Sequence, residues 1–206
     1  MRTLTKELQN NISPQQALEL LQEGNKRFVN NLKVNRNLLQ QVNETTESQH
    51  PFGVIISCMD SRTSSELIFD QGLGDIFSIR IAGNIINEDI LASAEFGCKV
   101  VGAKIILVLG HTSCGAIKGA IDNVDLGHLH FLTHKIQRCI PHIKESHPHL
   151  SKDGLNDEVT KQNILQGIQD LRTRSSILED LEYKKEIMIV GGLYDIKSGV
   201  VNFFNT

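Results

Sequence analysis

Ile105-Ile106-Leu107-Val108-Leu109-Gly110-His111-Thr112-Ser113-Cys114-Gly115 runs from a block of large apolar residues straight into a histidine and a cysteine. The apolar block is too short for a buried helix and carries no alternation, so it reads as a strand covered on both faces. Val54-Ile55-Ile56 leads into Cys58-Met59-Asp60-Ser61-Arg62 in the same way. Ile76-Phe77-Ser78-Ile79 and Ile187-Met188-Ile189-Val190 are further runs of this kind. Helical patterns lie between them, over about residues 64–70, 87–98, 115–121, 127–144 and 158–181. Strands separated by helices argue for an α/β fold with a central, mostly parallel sheet. The tail, Leu193 to Ile196, then Lys197-Ser198-Gly199, then Val200 to Phe203, reads as a hairpin. The expectation is therefore four parallel strands plus an antiparallel C-terminal strand, flanked by helices.

The region before the first strand reads as a helical arm. Ser13-Pro14-Gln15-Gln16 has the form of a capping box with proline at the first helical position. Ala17, Leu18, Leu20 and Leu21 supply an apolar face, and Gly24 is the expected stop. Residues 30–50 are polar and asparagine-rich, the pattern of a linker or extended arm. The 206 residues thus suit one domain, an arm over 1–50 and a catalytic α/β core over 51–206. A net charge of -3 and the absence of Trp argue against a nucleic-acid partner. No stretch is long and apolar enough for a membrane span, and the N-terminus carries no apolar signal core, so a cytoplasmic location is expected.

Four cysteines are too few for a disulfide framework in a chain of this length. In a reducing compartment, cysteine beside histidine reads as a metal or catalytic site. Both Cys58 and the His111/Cys114 pair follow directly on strands, and open α/β sheets build their sites at the carboxyl ends of strands. Two thiolates and an imidazole suit zinc, and three protein ligands leave the fourth tetrahedral position open. Water bound there becomes a nucleophile near neutral pH. Asp60 and Arg62, two apart, would share one side of an extended segment, where the guanidinium can hold the carboxylate ionised.

Taken singly, each signal has a plainer explanation. A lone cysteine after a strand is usually a small core residue, and an Asp-x-Arg pair is usually a surface ion pair. It is their joint placement at two strand ends that favours a site. Cys98 and Cys139 lie on helical patterns and read as core or neutral positions. His130 and His134 are four apart but lack the intervening carboxylate of a zincin motif. Gly72-Leu73-Gly74 precedes a strand rather than a helix and is no dinucleotide fingerprint.

Together these segments resemble the β-class carbonic anhydrases. The resemblance runs from about Gln16 to Phe203. It rests on Cys58 to Arg62, Gly74 to Asn84, Ser93-Ala94-Glu95-Phe96, Gly110 to Ala116, and Gly192 to Gly199. It implies reversible hydration of carbon dioxide to bicarbonate, with one zinc per subunit on Cys58, His111 and Cys114 and an Asp60–Arg62 catalytic pair. It further implies substrate contacts from Gln49, Phe77, Ala82, Gly83 and Phe96. A homodimer or dimer of dimers is implied, with the arm packing over the neighbouring subunit. Phe96 stands where many members have tyrosine, so that hydroxyl is absent. One subgroup binds inhibitory bicarbonate with a tryptophan where this chain has Ile55, so that regulatory site is not expected, although Arg80 matches another of its elements.

The same residues admit other readings. A sister hydrolase for carbon disulfide or carbonyl sulfide would differ in tunnel shape rather than ligands. A non-enzymatic zinc-binding or carboxysome-like assembly protein would not need Asp60 and Arg62 intact. A thiol enzyme could use Cys114 as nucleophile and His111 as base.

Overall fold

Gly53–Ser57 forms β1, Ile76–Arg80 β2, Ile105–His111 β3, Met188–Tyr194 β4 and Val201–Phe204 β5. They belong to a computed structural model that describes residues 3–204. The strands make one sheet in the order β2-β1-β3-β4-β5. β1 pairs in parallel with β2 and β3, β3 pairs in parallel with β4, and β5 closes the sheet antiparallel to β4. This is the arrangement read from the sequence. Every residue of β1 and β3 is buried, which is why those strands carry no polar alternation. β2 lies at an edge and does alternate.

Successive residues of β1 and β3 face opposite sides of the sheet. Val54, Ile56, Ile106 and Val108 pack with Ile90, Leu91, Ile164, Ile168 and Leu171 on one side. Ile55, Ile105, Leu107 and Leu109 pack with Ala17, Leu18, Leu21, Ile68 and Phe69 on the other. The helices behind these contacts are α1 (Lys6–Asn11), α2 (Pro14–Val29), α3 (Leu38–Glu44), α4 (Ser65–Ile68), α5 (Glu88–Glu95), α6 (Gly115–Ile121), α7 (Leu129–Gln137), α8 (Ile140–Ser146), α9 (Lys152–Arg174) and α10 (Ser176–Tyr183).

Three helical expectations change. The stretch 127–144 is two helices, because Pro141 in the first turn of α8 can neither donate to nor continue the preceding ladder. The stretch 158–181 begins earlier, at Lys152, where the Ser151 hydroxyl accepts from the Gly154 amide. It breaks at Ser175, whose extended backbone and hydroxyl start α10. Beyond α5, residues Phe96–Val101 form a π-helical turn, ended by Gly102 at φ 99°.

The capping box at Ser13 and Gln16 is formed, with both reciprocal bonds. Gly24 does not stop α2, which continues to Val29. It marks a close crossing instead: a Cβ there would overlap the Phe69 carbonyl. The polar stretch after α2 contains α3, capped by Asn37. It is tied to the core at the buried Asp70, which takes Arg27 and Arg36 at 2.6 Å each. Among the described residues, no helix is long and apolar enough to cross a membrane.

Candidate metal centre

β1 and β3 are neighbours in register, with Ser57 opposite Leu109. Cys58, the residue after β1, and His111, the last residue of β3, therefore lie at one end of the sheet. A tight turn with Ser113 at φ 55° then brings in Cys114, which opens α6. One sulfur or nitrogen from each of Cys58, His111 and Cys114 lies within 4.8 Å of the others, and all three residues are buried. The two sulfurs are 4.0 Å apart.

His111 is oriented by its own neighbour. Its Nδ1–H donates to the Thr112 carbonyl at 2.9 Å, which fixes the tautomer and leaves Nε2 with a free lone pair. Thr112 is itself held: its N–H donates to the Tyr194 carbonyl at 2.9 Å, and its hydroxyl bonds Asp195 at 3.3 Å. His111 Nε2 is buried and has no hydrogen-bond partner among the described residues. A buried imidazole lone pair beside two sulfurs is costly unless a cation takes it. The N, S, S donor set fits zinc.

The cysteines behave as a pair. The Cys114 thiol donates to Cys58 and draws its pKa down against the opposing effect of burial; His111 and the amides of Asp60 and Gly83 help. Both amides stand 3.4 Å from the Cys58 sulfur. Cys114 is pushed up by the bond to Cys58 and by burial. The two thiols titrate as a pair, and a divalent cation binding between them displaces their protons.

Asp60 and Arg62 meet, though not on the extended segment expected. Residues 60–63 form a turn in which the Asp60 carbonyl accepts the Thr63 amide at 3.0 Å. Arg62 donates to the two carboxylate oxygens from Nε at 2.9 Å and Nη2 at 2.7 Å, and its own N–H adds a third bond at 3.0 Å. The Arg62 side chain holds the Asp60 carboxyl well below the usual carboxylate range, against burial and with help from the Arg62 amide and His111. Asp60 Oδ2 stands 3.9 Å from His111 Nε2, so the carboxylate borders the metal position without filling it.

Arg80 donates to the carbonyls of Cys58 at 3.3 Å and Asp60 at 2.5 Å, so its guanidinium braces the loop that carries them. Ile55, at the position of the subgroup's tryptophan, is fully buried in the core. Gly83 touches the centre through its amide, and Ala82 precedes it. Phe77 and Phe96 line an open cleft of about 360 Å³ with Ser78, Ile79, Ala92 and Ser93. Gln49 is exposed and borders a different hollow, with Thr45, Leu73 and Gly74. Neither cleft includes a metal ligand. The structure adds Asn156 and Asn163 of α9, whose amides reach Cys114 and Gly83. Nothing in the local sequence marks them, since polar residues on a helix are ordinarily solvated.

Residues 53–201 match the family model described as carbonic anhydrase. Carbonic anhydrase 2 of Mycobacterium tuberculosis is 34% identical over 196 residues, 92% of each chain. The carbonic anhydrase of Mycolicibacterium smegmatis is 33% identical over 93% of each. Among solved structures, the β-carbonic anhydrase CafA of Aspergillus fumigatus superposes with a TM-score of 0.75 at 25% identity, over 81% of both chains. The β-carbonic anhydrase CcaA does so at 0.72 and 27%, over 93% of this chain and 94% of that one. Alike in sequence over nearly its whole length and alike in fold to solved members, the chain belongs to the β-class carbonic anhydrase family.

Proposed function

We propose that the protein catalyses the reversible conversion of carbon dioxide and water to bicarbonate and a proton, at one zinc ion per chain held by Cys58, His111 and Cys114. The observation that carries this reading is the buried, unpartnered Nε2 of His111 within 4.8 Å of two sulfurs. Bound zinc supplies Lewis acidity, making water a nucleophile near neutral pH. Asp60, kept ionised by Arg62, would accept a hydrogen bond from the attacking water and orient it toward carbon dioxide. Arg62 keeps the carboxylate from moving onto the metal.

Gln49, Phe77, Ala82, Gly83 and Phe96 form the substrate pocket in this reading. Gln49, Phe77 and Phe96 line clefts without a metal ligand, so their contribution requires a second copy of the chain. A homodimer, or a dimer of such dimers, supplies it, and the arm's outward apolar residues Leu8, Leu20, Val29 and Leu32 are the surface for that contact. A cytoplasmic location suits this reading, because a reducing compartment keeps thiolate ligands free to bind metal.

The test is stopped-flow hydration of carbon dioxide on the purified protein, before and after zinc is stripped with a chelator and then restored. Rate and zinc should fall and return together, at one zinc per chain. Full activity in stripped protein would sink the proposal and favour a thiol nucleophile. Cys58→Ser should lose both zinc and activity; full zinc occupancy in that variant removes Cys58 from the ligand set.

A further inference from the structure

α9 lies across the metal centre, and its inner face touches the segments that carry the ligands. Asn156 clasps the backbone of Cys114 from both sides. Its Oδ1 accepts the Cys114 amide at 3.2 Å, and its Nδ2 donates to the Cys114 carbonyl at 3.2 Å. Two turns along the same face, Asn163 donates from Nδ2 to the Gly83 carbonyl at 2.8 Å. Gly83 in turn gives its N–H to the Cys58 sulfur. On the same helix, Thr160 and Ile164 press on Gly110, the residue before His111, closely enough that a Cβ there would stand 2.7 Å from the Ile164 side chain. Both asparagines are buried, at 8% and 6% exposure.

Buried asparagines are retained only where their amides are matched, and here both are matched to backbone of the metal loops rather than to other side chains. Cys114 needs such a clasp. It opens α6 without a side-chain cap, directly after the strained Ser113, so little in its own loop fixes its sulfur. Gly83 needs one for a different reason. It sits at φ 67° beside Ile136 and Ala116, and its amide direction governs the bond to Cys58.

We propose that Asn156 and Asn163 are positioning residues of the metal centre: α9 sets the separation of the Cys114 and Cys58 sulfurs through one asparagine on each side. The proposal rests on the zinc reading given above. A structural role alone would lower stability and leave the affinity for zinc unmoved, which separates the two.

The experiment is zinc affinity by competition with a chromophoric chelator, on the full chain, for Asn156→Ala, Asn163→Ala and a control, Ile168→Val. Ile168 is buried in the same helix, away from the site. Loss of groups that orient metal ligands typically weakens binding by about 10–100-fold. Each asparagine variant should fall in that range, and the cobalt-substituted proteins should show a displaced thiolate-to-metal band. The control should bind zinc as the parent does, even where its melting temperature falls. If an alanine variant does not fold, the near-isosteric Asn156→Asp and Asn163→Asp, which lose the donor to each carbonyl, carry the same expectation. Parental affinity and an unmoved band in the asparagine variants would overturn the proposal, as would an equal loss in Ile168→Val. A parent that binds no zinc would overturn the zinc reading itself.

Discussion

Arg62 decides what Asp60 can do. Arg62→Ala removes the bonds at 2.9 and 2.7 Å and leaves a carboxylate 3.9 Å from His111 Nε2, free to swing toward the metal. Turnover should fall by about a hundredfold, the scale of a lost proton-transfer partner, with zinc content unchanged. Metal analysis beside stopped-flow rates checks this, and undiminished turnover would remove the pair from the chemistry. The two thiolates offset the charge of a bound cation, so its water is less acidic than on a three-histidine site. Activity should therefore climb from about pH 6 to about pH 9, and a flat profile under saturating carbon dioxide would contradict it. The clustering of Cys58, His111 and Cys114 was legible in the sequence because strand ends are where such folds gather their chemistry. The carboxylate–arginine contact was legible too, but its geometry was not. It depends on a turn closed by Thr63, and nothing in a two-residue spacing separates a turn from an extended segment. Asn156 and Asn163 escaped notice because their role exists only once α9 is packed against loops far away in the sequence.

Among the elements, the joint at Asp70 does most to seat the arm. Asp70 lies just past α4 and gathers Arg27 from α2, Arg36 from the stretch before α3, and the Val34 amide at 3.2 Å. Asp70→Asn leaves the Arg36 guanidinium, whose side chain is only 7% exposed, with backbone carbonyls of Val34 and Asp70 but no counter-charge. Urea denaturation should show a loss of about 3–5 kcal/mol, the usual cost of breaking a buried pair from one side. Burial raises the Asp70 pKa, but Arg27, Arg36 and the Val34 amide outweigh it, so the folded value lies below the unfolded one. That stabilisation is present above about pH 4 and disappears as pH falls through the lowered folded value. The Asn variant should lack this part of the acid limb, and an identical acid profile would show that Asp70 does not titrate with folding. The strand plan was readable because doubly covered strands leave unbroken apolar runs. Helix ends were less readable. Gly24 looks like a stop and is a crossing point, since glycine answers to close approach as well as to termination. The break at Ser175 was hidden because one serine serves as the end of α9 and the cap of α10.

At the scale of the whole molecule, the arm buries Ala17, Leu18 and Leu21 in its own core and leaves Leu8, Leu20, Val29 and Leu32 outward. Exposed apolar side chains gathered on the arm fit contact with a second copy. Sedimentation velocity should find a dimer or larger, and Leu20→Asp should shift it toward monomer; a parent that sediments as a monomer would end the shared-pocket reading. The order of the strands has a consequence in time. Cys58 leaves the ribosome about fifty residues before His111, and the two meet only when β1 and β3 zip together, a closure whose entropy must be met first. Until then Cys58 stands apart from His111 and Cys114, and the three-residue cluster exists only in the paired sheet. The cluster is therefore a product of the fold: the pairing of β1 with β3, and not either loop alone, sets when a cation could bind there.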